Sequence, residues 1–132
     1  MLKELVLAAS LATAHEHLTE AIYHEARGEG RCQYYVAGVI KNRKLSDRFP
    51  DTIQEVIEQP SQFSYKSNGD LTMYEEDAVI YAEEVAEAIL TSENEPSFEN
   101  ILYFHSTAVN PSWASSMEKV LKCGNHIFYT EE

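Results

Sequence analysis

Apolar residues recur at helical spacing along the N-terminal part of the chain. The pattern predicts a first helix from Leu2 to about His15. It also predicts a second helical segment, which begins with Thr19 as its N-cap and ends at Gly28 and Gly30. A third helix is predicted over Cys32–Lys44.

Two capping signals predict the helices that follow. Thr52–Glu55 has the spacing of a capping box, so a short helix should begin there and stop near Gln59–Pro60. We interpret Ser61–Leu71 as a loop. The same capping signal recurs at Thr72–Glu75 and predicts a helix that continues to about Leu90.

The C-terminal part of the chain is typical of strands. Ile101–Phe104 and Ile127–Tyr129 are rich in β-prone residues and are bounded by turn residues. We therefore predict a mainly helical α+β fold with a short antiparallel sheet near the C-terminus. A length of 132 residues fits one domain, which we assign to residues 1–132.

The charge and the apolar content restrict the partners. Ten Lys and Arg against 22 Asp and Glu give a net charge of -12, which opposes binding to a nucleic-acid backbone. The segment 1–14 has the order of a secretion signal, but Glu4 and a short apolar run favour a core helix. We expect a monomer, and we expect no stable membrane insertion, because no stretch reaches the ~20 apolar residues that a bilayer requires.

The two cysteines predict no disulfide framework. Cys32 opens a predicted helix and Cys123 precedes a predicted turn. We interpret both as reduced, partly buried thiols, although one bridge between them stays possible.

The sequence lacks the motifs of several enzyme classes. His24-Glu25 begins like the zinc motif H-E-x-x-H, but glycine stands at position 28. Neither a nucleophile elbow nor a phosphate-binding glycine motif occurs. We therefore expect no metal and no cofactor.

Glu25 is the remaining candidate for chemistry. It follows Ala21 and Ile22 by four and three residues, which places its carboxyl on the inward face of a predicted helix near its end. Glu29 lies four residues further on, a spacing that by itself is also common on solvated helices.

The sequence resembles the spore-cortex-lytic and cell-wall hydrolase family, which includes phage lysis proteins. The E-A-R-G-E run alone is modestly specific, but together with Q-F-S and the closing G-N-H-x-F-Y, in this order, it is highly specific. The matching segments are Tyr23–Glu29, Val36–Ala37, Val39–Ile40, Asn42–Arg43, Arg48–Pro50, Gln62–Ser64, Tyr103–His105, Pro111–Trp113 and Gly124–Tyr129.

The resemblance implies a lysozyme-like catalytic domain that cleaves peptidoglycan glycan strands between N-acetylmuramic acid and N-acetylglucosamine. It implies that Glu25 is the catalytic acid, and apolar neighbours should raise the pKa of this carboxyl. We expect a lytic transglycosylase that forms 1,6-anhydro products. Alternatives are a hydrolytic muramidase that uses Glu25 with Glu29, and a wall-binding domain without activity.

The resemblance also suggests which side chains contact sugar. Amide, hydroxyl and aromatic groups can bind pyranose rings, although core packing or a structural role is an alternative for the aromatic residues and the histidines. The candidates are Glu29, Gln62, Ser64, Tyr103, His105, Trp113, His126 and Tyr129. Asn42 and Arg43 are interpreted as structural, and Arg27 as the partner of an acid.

The sequence departs from the family pattern at two places. Tyr34-Tyr35 stands where small aliphatic residues are common, and Tyr65–Gly69 cannot be matched. We expect a phage-type endolysin that is made in the cytoplasm without a clear signal peptide and acts on the cell wall after release.

Overall fold

The first helix carries Glu25 close to its end. The computed structural model describes residues 2–59, 63–67, 71–92 and 98–131, and helix α1 covers Leu2–Ala26. The prediction of two separate helical segments is wrong, because no glycine or proline interrupts this stretch. Thr19 is buried inside the helix and does not cap it. The helix stops before Gly28, whose φ of 85° favours glycine.

The other helices follow the predicted order. A short 3-10 turn at Gly30–Cys32 leads into α2, Gln33–Leu45. Helix α3 covers Ile53–Glu58, and Thr52 caps it by accepting a hydrogen bond from the backbone N of Glu55 at 3.1 Å. The predicted cap at Thr52 is therefore confirmed.

Helix α4 covers Glu76–Thr91 and begins later than its capping signal. Its N-cap is Glu75, which makes no side-chain capping bond, so the prediction of a capping box at Thr72 is wrong. Ala82, Val85 and Ile89 form the inward face of α4, where all three are buried.

The sheet has three antiparallel strands in the order β1-β3-β2. Strand β1, Tyr103–Ser106, pairs with β3, His126–Thr130, as predicted. Strand β2, Glu118–Cys123, occupies the other edge and was not predicted. The small sheet confirms the α+β class.

Two polar side chains of α2 connect the helices to the segment that enters the sheet. Asn42 Nδ2 donates to the carbonyl of Ile101 at 2.9 Å. Arg43 Nε donates to the carbonyl of Leu102 at 2.8 Å. Both side chains are buried, which confirms that Asn42 and Arg43 have a structural role.

Cys32 and Cys123 form a disulfide, with their Cα atoms 5.5 Å apart. The expectation of two reduced thiols is therefore wrong. The bridge ties the turn after α1 to the end of β2 across 91 residues of sequence. The spacing of the two cysteines in the sequence did not predict the bridge, because only the fold brings them close together.

Among the residues described above, no helix combines the length and the apolar character that crossing a bilayer would require.

Candidate active site

Glu25 lies in the last turn of α1, half-buried beside a cleft. Burial, followed by the charge of Glu29, raises the pKa of its carboxyl to about 7. The carboxyl is therefore largely protonated at mildly acidic pH and can still ionise near neutrality. An ordinary surface glutamate would have lost its proton well below that pH.

The hydroxyl of Tyr23 fixes the end of α1 from one side. It accepts hydrogen bonds from Arg27 Nη1 at 2.8 Å and from the backbone N atoms of Tyr74 at 2.9 Å and Glu75 at 3.1 Å. Arg27 also pairs with the Glu75 carboxylate at 3.4 Å, which confirms its interpretation as the partner of an acid. These bonds attach the segment before α4 to the turn that carries Glu25.

His24 fixes the same turn from another side. Its Nε2 donates to the carbonyl of Leu71 at 3.2 Å. Its ring stacks on that of Tyr65, with centroids 4.9 Å apart and planes inclined by 14°. Glu25 is thus preceded by two residues whose side chains are held by the segment between α3 and α4.

The cleft beside Glu25 has a volume of about 580 Å³. Three of the predicted sugar-binding residues, Tyr103, His105 and Trp113, line it together with Glu25. The structure therefore brings the predicted acid and these three aromatic side chains to one surface, as a site for a flat ligand requires.

The aromatic wall of the cleft is a packed group. The ring of Trp113 lies 5.8 Å from Tyr103, 5.6 Å from His105 and 5.3 Å from Tyr129, measured between centroids. His105 Nδ1 donates to the carbonyl of Ser106 at 2.8 Å, so its Nε2 can accept from the Tyr129 hydroxyl, also at 2.8 Å. The His105 ring is consequently held in one orientation.

Three other predicted residues lie behind the cleft wall. Tyr129 is 7% exposed and His126 is 3% exposed, so neither ring offers a face to a sugar in this structure. One carboxylate oxygen of Glu29 accepts from the backbone N of Asn125 at 2.6 Å and lies 3.0 Å from Nδ1 of His126. None of these three residues lines the cleft in this structure, and their direct contact with sugar stays a prediction.

Arg43 has the predicted structural role, but it also lines the cleft. The sequence interpretation missed this second position. Its guanidinium lies over the rings of Phe49 and Tyr103, at 5.1 and 5.7 Å from their centroids. Burial lowers the pKa of this group to about 10, so it stays charged at neutral pH. The sequence did offer one indication of this position, because Asn42-Arg43 is among the segments that match the family.

Two predicted residues lie at the limits of what the structure describes. Gln62 falls outside the described residues, and Ser64 begins the 3-10 turn Ser64–Ser67. Within the described ranges, no three His, Cys, Asp or Glu side chains converge as metal ligands would.

A carboxyl of raised pKa beside an aromatic cleft, on a small α+β scaffold, has the features of an acid-base site for carbohydrates. The chain belongs to the cell wall hydrolase family, whose sequence profile, described as Cell Wall Hydrolase, matches residues 28–129. The family resemblance inferred from the sequence is thereby confirmed. The matched region begins just after the helix that carries Glu25 and includes the aromatic wall.

Individual relatives extend the comparison to most of the chain. The spore cortex-lytic enzymes of Oceanobacillus iheyensis and Bacillus subtilis are both 33% identical over 114 residues, or 84% of this chain. The chain spans only 39% and 35% of the lengths of these two enzymes. The catalytic domain of the germination-specific lytic transglycosylase SleB from Bacillus anthracis shares the fold, with a TM-score of 0.73 and 26% identity. That likeness covers 89% of this chain and 93% of the other.

Proposed function

We propose that this chain is a peptidoglycan lytic transglycosylase that cleaves the bond between N-acetylmuramic acid and N-acetylglucosamine. The observation that carries the proposal is the half-buried Glu25 carboxyl, with a pKa of about 7, in a cleft lined by Tyr103, His105 and Trp113. Membership of the cell wall hydrolase family and the likeness to the SleB catalytic domain support it.

Glu25 performs both proton transfers of the reaction. Its protonated carboxyl donates to the glycosidic oxygen, so the bond to the muramic C1 breaks and the leaving sugar becomes an alcohol. The resulting carboxylate accepts the proton of the muramic C6 hydroxyl, whose oxygen bonds to C1 and closes the 1,6-anhydro ring. The proton that Glu25 gave is thereby returned, and no water is consumed.

The aromatic wall binds the glycan strand in this proposal. Tyr103 and Trp113 present flat apolar surfaces to pyranose rings, and His105 is oriented by its bond to Tyr129. Gln62 and Ser64 remain predicted ligands of sugar hydroxyl or N-acetyl groups.

The position of Glu29 favours this reaction over hydrolysis by two carboxylates. A hydrolytic glycosidase needs a second carboxylate that faces the scissile bond or an attacking water. The Glu29 side chain is only 10% exposed, and one of its oxygens is bonded to Asn125 and His126. It is therefore poorly placed to activate water in the cleft.

Mass spectrometry of digested cell walls tests the proposal. Anhydro-muropeptides are the expected products, whereas reducing ends would show a hydrolase and an absence of products would show a binding domain. Glu25→Gln should keep the fold and lose activity by about 10³-fold or more, since proton donation to the leaving group is removed. Glu84→Gln, an exposed change on α4, is the matched control.

We further propose a phage-type endolysin that is made in the cytoplasm, acts as a monomer and reaches the wall after release. The segment 2–14, whose order resembles a secretion signal, forms the first part of the helix that carries Glu25. The activity of the purified protein on vegetative cell walls, compared with its activity on spore cortex, tests this proposed role. Preference for cortex would indicate a germination enzyme.

A further inference from the structure

The hydroxyl of Tyr65 is a buried polar group without a hydrogen-bond partner in the part of the chain that the structure describes. The residue is 6% exposed, so bulk water does not supply the missing bond. Leaving a hydroxyl buried and unpaired destabilises a fold, and such groups are uncommon in proteins. The position therefore calls for a role beyond packing.

The ring of Tyr65 is held against the turn that carries the proposed acid. It stacks on the imidazole of His24, the residue directly before Glu25, and its edge meets Phe63 at 6.5 Å between centroids. Because both contacts involve the ring, they leave the hydroxyl available for another purpose.

Three carboxylates act on this hydroxyl, and two of them have other partners. The pKa of Tyr65 is raised by burial and then by the charges of Glu20, Glu25 and Glu58, so the hydroxyl stays protonated and is a potential donor. Glu20 pairs with Lys66 at 3.2 Å, and Glu58 accepts from Gln54 at 3.4 Å. By contrast, the structure shows no hydrogen bond between Glu25 and any described residue.

We propose that Tyr65 is a positioning residue for Glu25. When Glu25 gives up its proton, the Tyr65 hydroxyl donates a hydrogen bond to the carboxylate that forms. The Tyr65 ring stacks on His24 in the turn that carries Glu25, and among the described residues its hydroxyl has no hydrogen-bond partner. The bond stabilises the charged form of Glu25 and aims it at the C6 hydroxyl, so the inference rests on the proposed function. Tyr65 begins the stretch that could not be matched to the family pattern. The proposed hydrogen bond is therefore inferred for this chain and not for the family.

Tyr65→Phe is the sharpest test, because it keeps the ring and removes only the hydroxyl. We expect kcat to fall about 10- to 100-fold, as for the loss of a hydrogen bond to a charged group, with KM nearly unchanged. The alkaline limb of the pH profile should move to higher pH, because the Glu25 anion loses a donor. The melting temperature should be equal or higher, since an unpaired buried group is removed.

The pH readout involves several other groups. The charged and titratable groups near Tyr65 or Glu25 are His24, Glu29, Glu58, Arg43, His105 and Glu20, which is paired with Lys66. The matched control is Tyr81→Phe on α4, a half-buried tyrosine that does not line the cleft. It should leave kcat and the alkaline limb unchanged.

A measurement on the unmodified protein keeps the inference testable if Tyr65→Phe folds poorly. The carbon-13 signal of the Tyr65 ring carbon that bears the hydroxyl should shift as Glu25 titrates, and the shift should vanish in Glu25→Gln. A signal that ignores this titration would overturn the inference, as would a Tyr65→Phe enzyme with normal kcat or an unmoved alkaline limb. If the unmodified protein makes no anhydro products, the proposed function fails instead.

Discussion

Glu29 and His126 are 97 residues apart in sequence, yet the carboxylate of Glu29 lies 3.0 Å from Nδ1 of His126. The same oxygen accepts from the backbone N of Asn125 at 2.6 Å. The turn between β2 and β3 therefore holds the negative charge that helps to raise the pKa of Glu25. Through this contact the turn between β2 and β3 influences the pKa of the acid.

Glu29→Gln should lower the pKa of Glu25, because the neighbouring negative charge disappears while a similar shape remains. The alkaline limb of kcat/KM should move to lower pH by on the order of one unit or less. At pH values below both pKa values, activity should stay close to that of the unmodified enzyme. A pH profile of wall digestion measures the shift.

The control for this change is Glu84→Gln, which removes an exposed charge from α4 and should leave the profile unmoved. Complete loss of activity in Glu29→Gln at every pH would contradict the supporting role of Glu29. That result would favour the hydrolytic alternative with two carboxylates.

The features that the sequence predicted correctly depend on residues that are close together along the chain. The spacing of Glu25 from Ala21 and Ile22 placed its carboxyl on the inward face of α1, and both neighbours are buried. Thr52 caps α3 because the bond to Glu55 spans only three residues. Tyr103 and Trp113 could be placed beside Glu25 only through the family resemblance, since their proximity is tertiary.

The features that were missed depend on distant contacts. Strand β2 has three exposed and three half-buried positions, so its apolar signal is weak, and pairing with β3 stabilises it. Thr19 has the chemistry of a cap, but packing keeps it inside a continuous helix. The partners of Glu29 and the bridge between Cys32 and Cys123 arise only when the hairpin folds back onto the end of α1.

Gly124→Ala should destabilise the protein more than Gly28→Ala, although both glycines have positive φ. A Cβ at position 124 would lie 2.5 Å from an oxygen of Glu29, whereas a Cβ at position 28 would meet no atom within 4 Å. We expect about 1 kcal/mol of backbone cost at each site, and an additional clash at Gly124 alone. Urea unfolding of the two variants measures the difference, and equal losses would contradict it.

Reduction of the disulfide should lower the melting temperature. The bridge closes a loop across 91 residues of sequence, and constraint of the unfolded chain over such a loop contributes about 4 kcal/mol. We expect a loss of about 10 °C or more with dithiothreitol. Cys32→Ser should melt at the lower temperature with or without the reductant. Two titratable thiols in the unreduced protein would refute the bridge.

Trp113→Ala should weaken glycan binding more than the chemical step. Trp113 is half-buried in the cleft wall, and loss of one covered aromatic face should raise KM about tenfold, which corresponds to about 1.4 kcal/mol. If binding is lost equally from the substrate and the transition state, kcat changes little. Steady-state kinetics on soluble glycan fragments measure both constants. Ile80→Ala, an exposed apolar change on α4, should alter neither, and a selective loss of kcat in Trp113→Ala would oppose stacking.

Glu25→Gln should stabilise the fold at alkaline pH. The pKa of Glu25 rises from 4.5 to about 7 on folding, so the folded state binds the extra proton between these values and loses stability as pH rises through them. A neutral glutamine removes this penalty, which we put at about 1 to 2 kcal/mol above pH 7 after allowing for the partial exposure of the carboxyl. Urea unfolding at pH 4 and pH 8 measures it: the advantage of the variant should appear only at pH 8, and Glu84→Gln should show none. An advantage that is the same at both pH values would mean that Glu25 is not held protonated by burial, and the proton donor of the proposed reaction would then have to be another residue.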